Sequence, residues 1–539
     1  MTKSFLSTDG GHFSSPETSP TDSLQNLLAG LAGKPAEAWL EQGRALASRG
    51  NLEAAEIVLR AAVQAHPTDA EVSLALAGVR WQARDHVGAQ AVLQDLIARQ
   101  PEHVAASFTL ARVYAEQGRT QAAAMVVQAL FGRFRQPAEL IVQAGGMLAE
   151  WGCKEIAADI CEREIAAGST DPGLHVYAGM LQMQLGNFET SRSRYRAALD
   201  SDPATLKWGA AYGIASAGRY DDPQHPDRER FERLLEQPGL VDSARVSLLF
   251  ALGKISDDLG EYAAAAGYFR QANAIQTSVT TWPRKNWRRL VEARLNATPL
   301  PPRTPADGEC IPIFIVGAPR SGTTLVAELL ARSAQVCNRG ELEWLPRVAE
   351  QVARSGKPSQ AMLDKAAEKY LAQLRRDDSD ALWFVDKQPL NFMHVDLIRA
   401  LFPQARIIHC RRNSRDTALS IWIQHFGASE YRFAYDFADI AALMQGCTRL
   451  MADARRKTAM PILEVRYEEL VGAPDAVIND LASSLGLPAF SIEPKSAAAP
   501  SVIGTASVWQ ARQPVYTRSV GRWQSYAAFV LELLQFPDD

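Results

Sequence analysis

The sequence lacks any run of 18 or more apolar residues, which excludes a hydrophobic membrane-spanning helix. Its N-terminal stretch, MTKSFLSTDGGHFSSPETSPTDS, has no apolar core of the secretory type, so a cytoplasmic protein is expected. Cysteine is sparse. The six cysteines (Cys153, Cys161, Cys310, Cys337, Cys410 and Cys447) form no CxxC pair, which argues against a zinc site or a disulfide framework and for reduced thiols. No HExxH motif or Cys/His cluster occurs, and His394, His409 and His425 are scattered, so no metal is expected. No excess of charge exists either. Lys and Arg total 57 against 61 Asp and Glu, a net charge of −4, so the chain as a whole is not built to coat nucleic acid or an acidic membrane. What remains is ordinary globular composition, 47% hydrophobic and 22% charged over 539 residues, enough for several domains.

Residues 1–30 are rich in Ser, Thr, Pro and Gly and read as a disordered tail. From residue 36 a period of 34 residues appears. Gly50, Gly118, Gly152 and Gly186 fall on one ladder, with Arg84 in the vacant slot; Pro67, Pro101 and Pro203 fall on a second. Small residues follow four and five positions after the glycine slots, as at Ala54, Ala55, Gly88, Ala89, Ala122 and Ala123, and again at Ala264 and Ala265 after Gly260. Glycine permits the left-handed turn that ends one helix, and alanine lets the next helix approach closely. This pattern resembles tetratricopeptide repeats. It predicts five contiguous helix pairs over 36–205 and one more near 245–278, with an irregular insertion between them. The array is assigned to 31–280, and stacked pairs offer a surface for a protein or peptide partner. The proline-rich stretch 281–309 reads as a linker.

Beyond residue 310 short apolar runs alternate with helical segments: IPIFIVG, ALWFVD, ARIIHC and ILEVRY. Buried strands in this rhythm imply a mostly parallel sheet covered by helices. The expected fold is therefore an all-α repeat solenoid followed by an α/β, P-loop-like domain over 310–539. The first run ends in Gly317-Ala318-Pro319-Arg320-Ser321-Gly322-Thr323-Thr324, a strand-loop-helix junction suited to an anion. Thr323 stands where a nucleoside-triphosphate hydrolase has its P-loop lysine, which disfavours that chemistry. A second basic cluster, Arg406, Arg411, Arg412 and Arg415, follows ARIIHC, with Ser420 eight residues beyond Arg412. Two anion sites at strand ends imply a nucleotide with two separate anionic groups.

The segments VGAPRSGTT and RRNSRDTALS together resemble the sulfotransferase family, and protein-tyrosine sulfotransferases in particular; the attached repeats resemble bacterial proteins that fuse tetratricopeptide repeats to such a domain. The resemblance implies a nucleotide cosubstrate, 3′-phosphoadenylyl sulfate (PAPS), with adenosine 3′,5′-bisphosphate (PAP) as product. It implies that Arg320, Ser321, Gly322, Thr323 and Thr324 hold the 5′-phosphosulfate, and that Arg412 and Ser420 hold the 3′-phosphate. Tyr467, Ser507 and Arg522 are implied nucleotide contacts. Glu341, 21 residues after Arg320, matches the catalytic base, with Glu343 as fallback; Lys387, in VDKQP, matches the lysine near the bridging oxygen, and Arg320 shares the catalytic role. Three departures stand out: Ala506 precedes Ser507, Gln424 occupies the place of a second arginine, and Arg522 replaces a lysine.

The expected reaction is sulfuryl transfer from PAPS to an acceptor hydroxyl, first of all a tyrosine of a protein or peptide engaged by the repeats. A glycan, lipid or small-molecule acceptor is the alternative. A reading of another class is a repeat scaffold with a nucleotide-binding domain that does not turn over.

Overall fold

The computed structural model describes residues 20–306, 308–355, 358–377, 381–427, 429–457, 460–491 and 515–539. The chain divides into two compact units between Val113 and Tyr114.

The first unit holds α1 (Pro20–Leu31), α2 (Ala36–Ser48), α3 (Leu52–Ala65), α4 (Ala70–Gln82), α5 (His86–Arg99) and most of α6 (Val104–Glu116). Helix α2 pairs with α3 and α4 with α5. Caps set the starts: Asn51 Oδ1 accepts from the Ala54 amide at 3.2 Å, Asp69 Oδ1 from Val72 at 3.1 Å and Asp85 Oδ1 from Gly88 at 2.8 Å. The turns between partners need a positive φ, and Arg84 takes it at 65° in the slot where the ladder lacks its glycine. A side chain there costs about 1 kcal/mol. Helix α1 lies largely within the span 1–30 read as a tail. Its Leu24, Leu27 and Leu28 pack against a core containing Leu31, Trp39 and Leu40, an apolar stripe that the surrounding Ser/Thr/Pro composition obscures.

The second unit continues with α7 (Thr120–Arg133), α8 (Ala138–Glu150), α9 (Lys154–Ala166), α10 (Pro172–Leu185) and α11 (Phe188–Ser201). Then come α12 (Ala210–Ser216), α13 (Pro226–Leu235), α14 (Asp242–Asp258) and α15 (Tyr262–Val279). The fifth position after each glycine slot is the packing position: Ala55, Ala89, Ala123, Ala157 and Ala265 are all fully buried. The span expected to be an irregular insertion holds α12 and α13. Phe231 and Tyr220 bury there, and Asp227 accepts from Tyr220 Oη and Arg196 Nη2, both at 2.9 Å. The span 281–309 contains α16 (Arg284–Leu295), which docks on the transverse helix described below, where the Trp287 indole donates to Ala442 O at 2.9 Å. Its apolar signal is only Trp287 and Val291, too short a stripe to stand out among five prolines.

The sheet is parallel throughout its described strands: β1 (Ile311–Gly317), β2 (Val336–Asn338), β3 (Trp383–Asp386), β4 (Arg406–Arg411) and β5 (Ile462–Arg466), in the order β2-β3-β1-β4-β5. Alternate residues of β1 face opposite layers, Ile313 and Ile315 one core, Phe314 and Val316 the other. Helices cover both faces: α17 (Thr323–Leu330), α18 (Trp344–Ser355), α19 (Gln360–Arg375), α20 (Val395–Leu401), α21 (Ser414–Trp422), α22 (Phe437–Lys457), α23 (Tyr467–Gly472) and α24 (Pro474–Leu485). Helix α22 is the one that carries α16. The architecture is thus a helical repeat solenoid followed by an α/β domain with a parallel sheet. Among the described residues no helix is long and apolar enough to cross a membrane. With β1 central, the loops after β1, β3 and β4 meet at the carboxyl edge of the sheet, where open α/β sheets bind ligands.

Candidate active site

Close backbone approach shapes the loop after β1. A side chain on Gly317 would meet Cys410 O of β4 at 2.4 Å, and one on Gly322 would meet the Tyr467 ring at 2.8 Å. Both glycines have positive φ, and between them Arg320 adopts φ 69°. A non-glycine residue held in this region is worth reading functionally. Helix α17 then starts at Thr323, so its free amides open toward the loop.

Arg320 and the second basic cluster form one patch. Arg320 Nε donates to Ser420 Oγ at 3.1 Å, and Arg412 Nη1 donates to Arg320 O at 3.3 Å. Arg412 Nη2 donates to Ser519 O at 2.5 Å, and its guanidinium lies 4.7 Å from the Tyr467 ring centroid. Burial, then the neighbouring Arg412 charge, pushes Arg320 down to about 10. Burial likewise lowers Arg412, with Asp416, 4.0 Å away, only partly offsetting it. Two buried polar atoms, Ser321 Oγ and Arg412 Nε, have no hydrogen-bond partner among the described residues. Orphaned polar atoms beside buried positive charge are what an anion would satisfy. The other arginines of the cluster turn elsewhere: Arg411 pairs with Glu464 and Asp539, and Arg415 with Asp538.

Glu341 stands across from this patch. The loops after β2 and β3 are stitched by Lys387 N donating to Gly340 O at 2.8 Å and Arg339 N to Val385 O at 2.9 Å. Lys387 Nζ contacts Glu341 Oε1 at 2.5 Å; the lysine side chain is 2% exposed and the glutamate 25%. The lysine therefore sits behind the carboxylate. Glu343 is out in solvent, paired with Arg347 at 3.0 Å. Behind Lys387, Asp386 is buried and its carboxyl is pushed up to about 7 by that burial, despite the bond from Tyr370 Oη.

Arg320, Glu341, Arg412, Ser420, Tyr467 and Arg522 line a single cavity of about 900 Å³, together with Gly322, Thr323 and Thr324. The expected residues Ser321 and Lys387 are not part of its lining; Ser507 and Ala506 fall outside the described residues. Arg522 does not face an anion alone: its guanidinium is bound to Asp257 of α14. Gln424, in the place of a second arginine, donates to Tyr212 Oη of α12 at 2.6 Å.

Those two partners belong to a wall the sequence reading missed. Met180, Met183, Tyr195, Tyr212, Lys254 and Asp257, on helices α10, α11, α12 and α14, line the same cavity. Further ties join the walls: Asn273 Nδ2 donates to Trp422 O at 3.0 Å, and the His425 ring stacks on Phe250 with centroids 4.9 Å apart. Lys154, the first residue of α9, is lowered by burial while the Glu341 charge opposes the shift. Among the described residues no group of three or more His, Cys, Asp or Glu could hold a metal ion.

Residues 312–491 match the sulfotransferase family model, and residues 36–79 and 80–140 match tetratricopeptide repeat models. An uncharacterized protein of Aquifex aeolicus is 29% identical over 328 residues, covering 56% of this chain and 43% of its own. Protein-tyrosine sulfotransferase 1 of Danio rerio is 26% identical over 194 residues, covering 33% of this chain and 53% of its own. The chain spans about half the length of these curated relatives. Among solved structures, the sulfotransferase domain from the Synechococcus PCC 7002 olefin synthase is 22% identical, covering 43% of this chain and 96% of that one with a TM-score of 0.32. A tetratricopeptide repeat protein from Parabacteroides merdae is 16% identical, covering 48% and 98%, with a TM-score of 0.26. The chain thus joins tetratricopeptide repeats to a domain of the sulfotransferase family.

Proposed function

We propose that the protein transfers the sulfuryl group of PAPS to an acceptor hydroxyl, and that the acceptor is a tyrosine of a protein or peptide. One observation carries the reading: the buried Arg320–Ser420–Arg412 patch and Glu341 open into the same cavity. The orphaned Ser321 Oγ and Arg412 Nε fit an anionic cosubstrate.

PAPS supplies the activated group: its bond from sulfur to the phosphate oxygen breaks as the bond from the acceptor oxygen to sulfur forms. Glu341 takes the acceptor proton at Oε2, the oxygen that Lys387 leaves available. Lys387 holds the carboxylate in place, and its ammonium keeps two further donors. Arg320, Arg412 and the amides of the loop stabilise the charge that builds on the leaving phosphate. A phenol, with a pKa of about 10, yields its proton more readily than an alkyl hydroxyl. The cavity offers such a ring Tyr431, stacked on Phe426 at 4.6 Å, and the adaptable thioethers of Met180 and Met183. The similarity to the Danio rerio protein-tyrosine sulfotransferase supports the same acceptor class, and the repeats support a polypeptide partner.

Calorimetric titration with PAP, with ATP as control, tests the cosubstrate. Binding of PAP alone, followed by transfer from PAPS to a tyrosine peptide, is expected. Absence of PAP binding removes the reading; PAP binding without transfer to tyrosine peptides removes the acceptor.

A further inference from the structure

Three guanidinium groups, Arg320, Arg412 and Arg522, line the cavity, and they repel one another. Arg320 bonds a neutral serine, and Arg412 has a carboxylate only at 4.0 Å. Arg522 is bound directly to a carboxylate, that of Asp257. Burial lowers Arg522, and Asp257 outweighs the burial so that the guanidinium ends above its usual range.

Asp257 is itself 9% exposed and is held on its other oxygen by Tyr526 Oη at 2.6 Å. Arg522 and Tyr526 are the two ends of one short 3-10 turn. The residues on either side of Arg522 are fixed from the other side: Asp416 of α21 accepts from the amides of Gly521 at 2.7 Å and Trp523 at 2.8 Å. The segment carrying Arg522 is therefore clamped between one carboxylate of the transferase domain and one of the repeat helix α14. Without Asp257, repulsion from Arg320 and Arg412 drives Arg522 away from the cavity. A partly buried charge left without its partner is disfavoured where it stands.

We propose that Asp257 is a positioning residue of the anion site, which holds Arg522 in the cavity, so that the repeat array supplies a working part of nucleotide binding. The proposal rests on the reading of the cavity as a nucleotide site and extends it to a residue outside the transferase domain.

A double-mutant cycle on the full chain tests it. Binding of PAP and, separately, of inorganic pyrophosphate is measured by calorimetry for wild type, Asp257→Asn, Arg522→Ala and the double variant. Asp257→Asn is expected to weaken PAP binding about tenfold or more. In the Arg522→Ala background the same substitution is expected to change affinity by less than about twofold, because Asp257 acts only through Arg522. Unchanged or tighter binding in Asp257→Asn overturns the proposal, since Asp257 would then be idle or a competitor of the ligand. Equal losses in both backgrounds also overturn it, because a general structural defect behaves that way. If Asp257→Asn does not fold, Asp257→Glu carries the same cycle: its extra methylene displaces Arg522, and its loss must vanish in Arg522→Ala. If wild type binds pyrophosphate and not PAP, the nucleotide reading fails while the pyrophosphate cycle still decides the role of Asp257. Binding of neither ligand overturns both.

Discussion

The two walls of the cavity handle charge in opposite ways. On the transferase wall Arg412 is buried with Asp416 4.0 Å away, and both it and Arg320 are held below the usual arginine range. On the repeat wall Lys254 pairs with Asp258, and Asp257 with Arg522 from across the cavity. Buried charge left unmatched is costly and persists where a ligand compensates it. Buried charge that is matched fixes geometry. Under the proposed function the transferase wall would recognise the ligand, while the repeat wall sets its shape and holds it in register.

The largest effect expected from that division belongs to the transferase wall. Glu341→Ala is expected to lower turnover by about 10²–10⁴-fold while PAP affinity stays within about twofold, because the lost group acts on the acceptor proton. Single-turnover transfer and calorimetry on the same preparation check it. An equal loss in binding would place Glu341 in the anion site instead. Next in size, Arg412→Ala is expected to weaken PAP binding about 30-fold or more, since it removes a buried charge with an orphaned donor. Unchanged affinity would erase the contrast between the walls.

How much of this was legible depends on which wall is considered. Arg320 and Arg412 sit in loops at strand ends and Ser420 on the helix that follows, where motif and spacing expose them, whereas Glu341 was reached through the family resemblance. All four line one cavity. The repeat wall was hidden by its own regularity. Helices α3 and α14 belong to units of the same shape, although the unit at Gly260 lies off the 34-residue ladder. Yet α3 buries four of its 14 residues, Ala55, Val58, Leu59 and Ala62, a single stripe. Helix α14 buries 11 of 17, on all sides. A helix apolar all round is buried all round, and DSARVSLLFALGKISDD carries that signal. A reading tuned to period finds the ladder and passes over the second apolar face. The helices α12, α13 and α16 were missed for a related reason, since their short stripes sit among Pro, Asp and Arg. Lys387 shows a different limit. Its type and position were visible, but its direct contact with Glu341 depends on how the loops after β2 and β3 are stitched, which no local pattern encodes.

The seam between the walls makes a prediction about pH. His425 stacks on Phe250 of α14 and is pushed down to about 4 by burial. In the unfolded chain it takes up a proton near pH 6.5, so between about 6.5 and 4 the unfolded state binds one more proton at this residue than the folded state. Stability at this site is full above that window and falls as pH drops through it, by about 1.4 kcal/mol per unit. Asp386, raised to about 7, works in the opposite sense over the same range. His425→Phe keeps the stacked ring and removes only the first contribution. Denaturant unfolding of wild type and His425→Phe at pH 7 and pH 5 is expected to show wild type losing more stability by about 2 kcal/mol. Parallel losses would mean that the seam opens to water.

The smallest effect sharpens the comparison most. Gln424 stands where the resemblance expects an arginine, and it donates to Tyr212 Oη at 2.6 Å. Burial raises the Tyr212 phenol, so it remains protonated and neutral at any working pH. This position joins the two walls by a neutral hydrogen bond instead of adding a further cation to the patch. Tyr212→Phe removes the acceptor and leaves the Gln424 amide short of a partner, at a cost of about 1–3 kcal/mol in stability. The charges that recognise the ligand are untouched, so PAP affinity is expected to move by less than about threefold. Denaturant unfolding and calorimetry on the variant check both halves. A large loss of affinity with little loss of stability would mean that the repeat wall recognises the ligand directly, and the division of labour between the walls would fail.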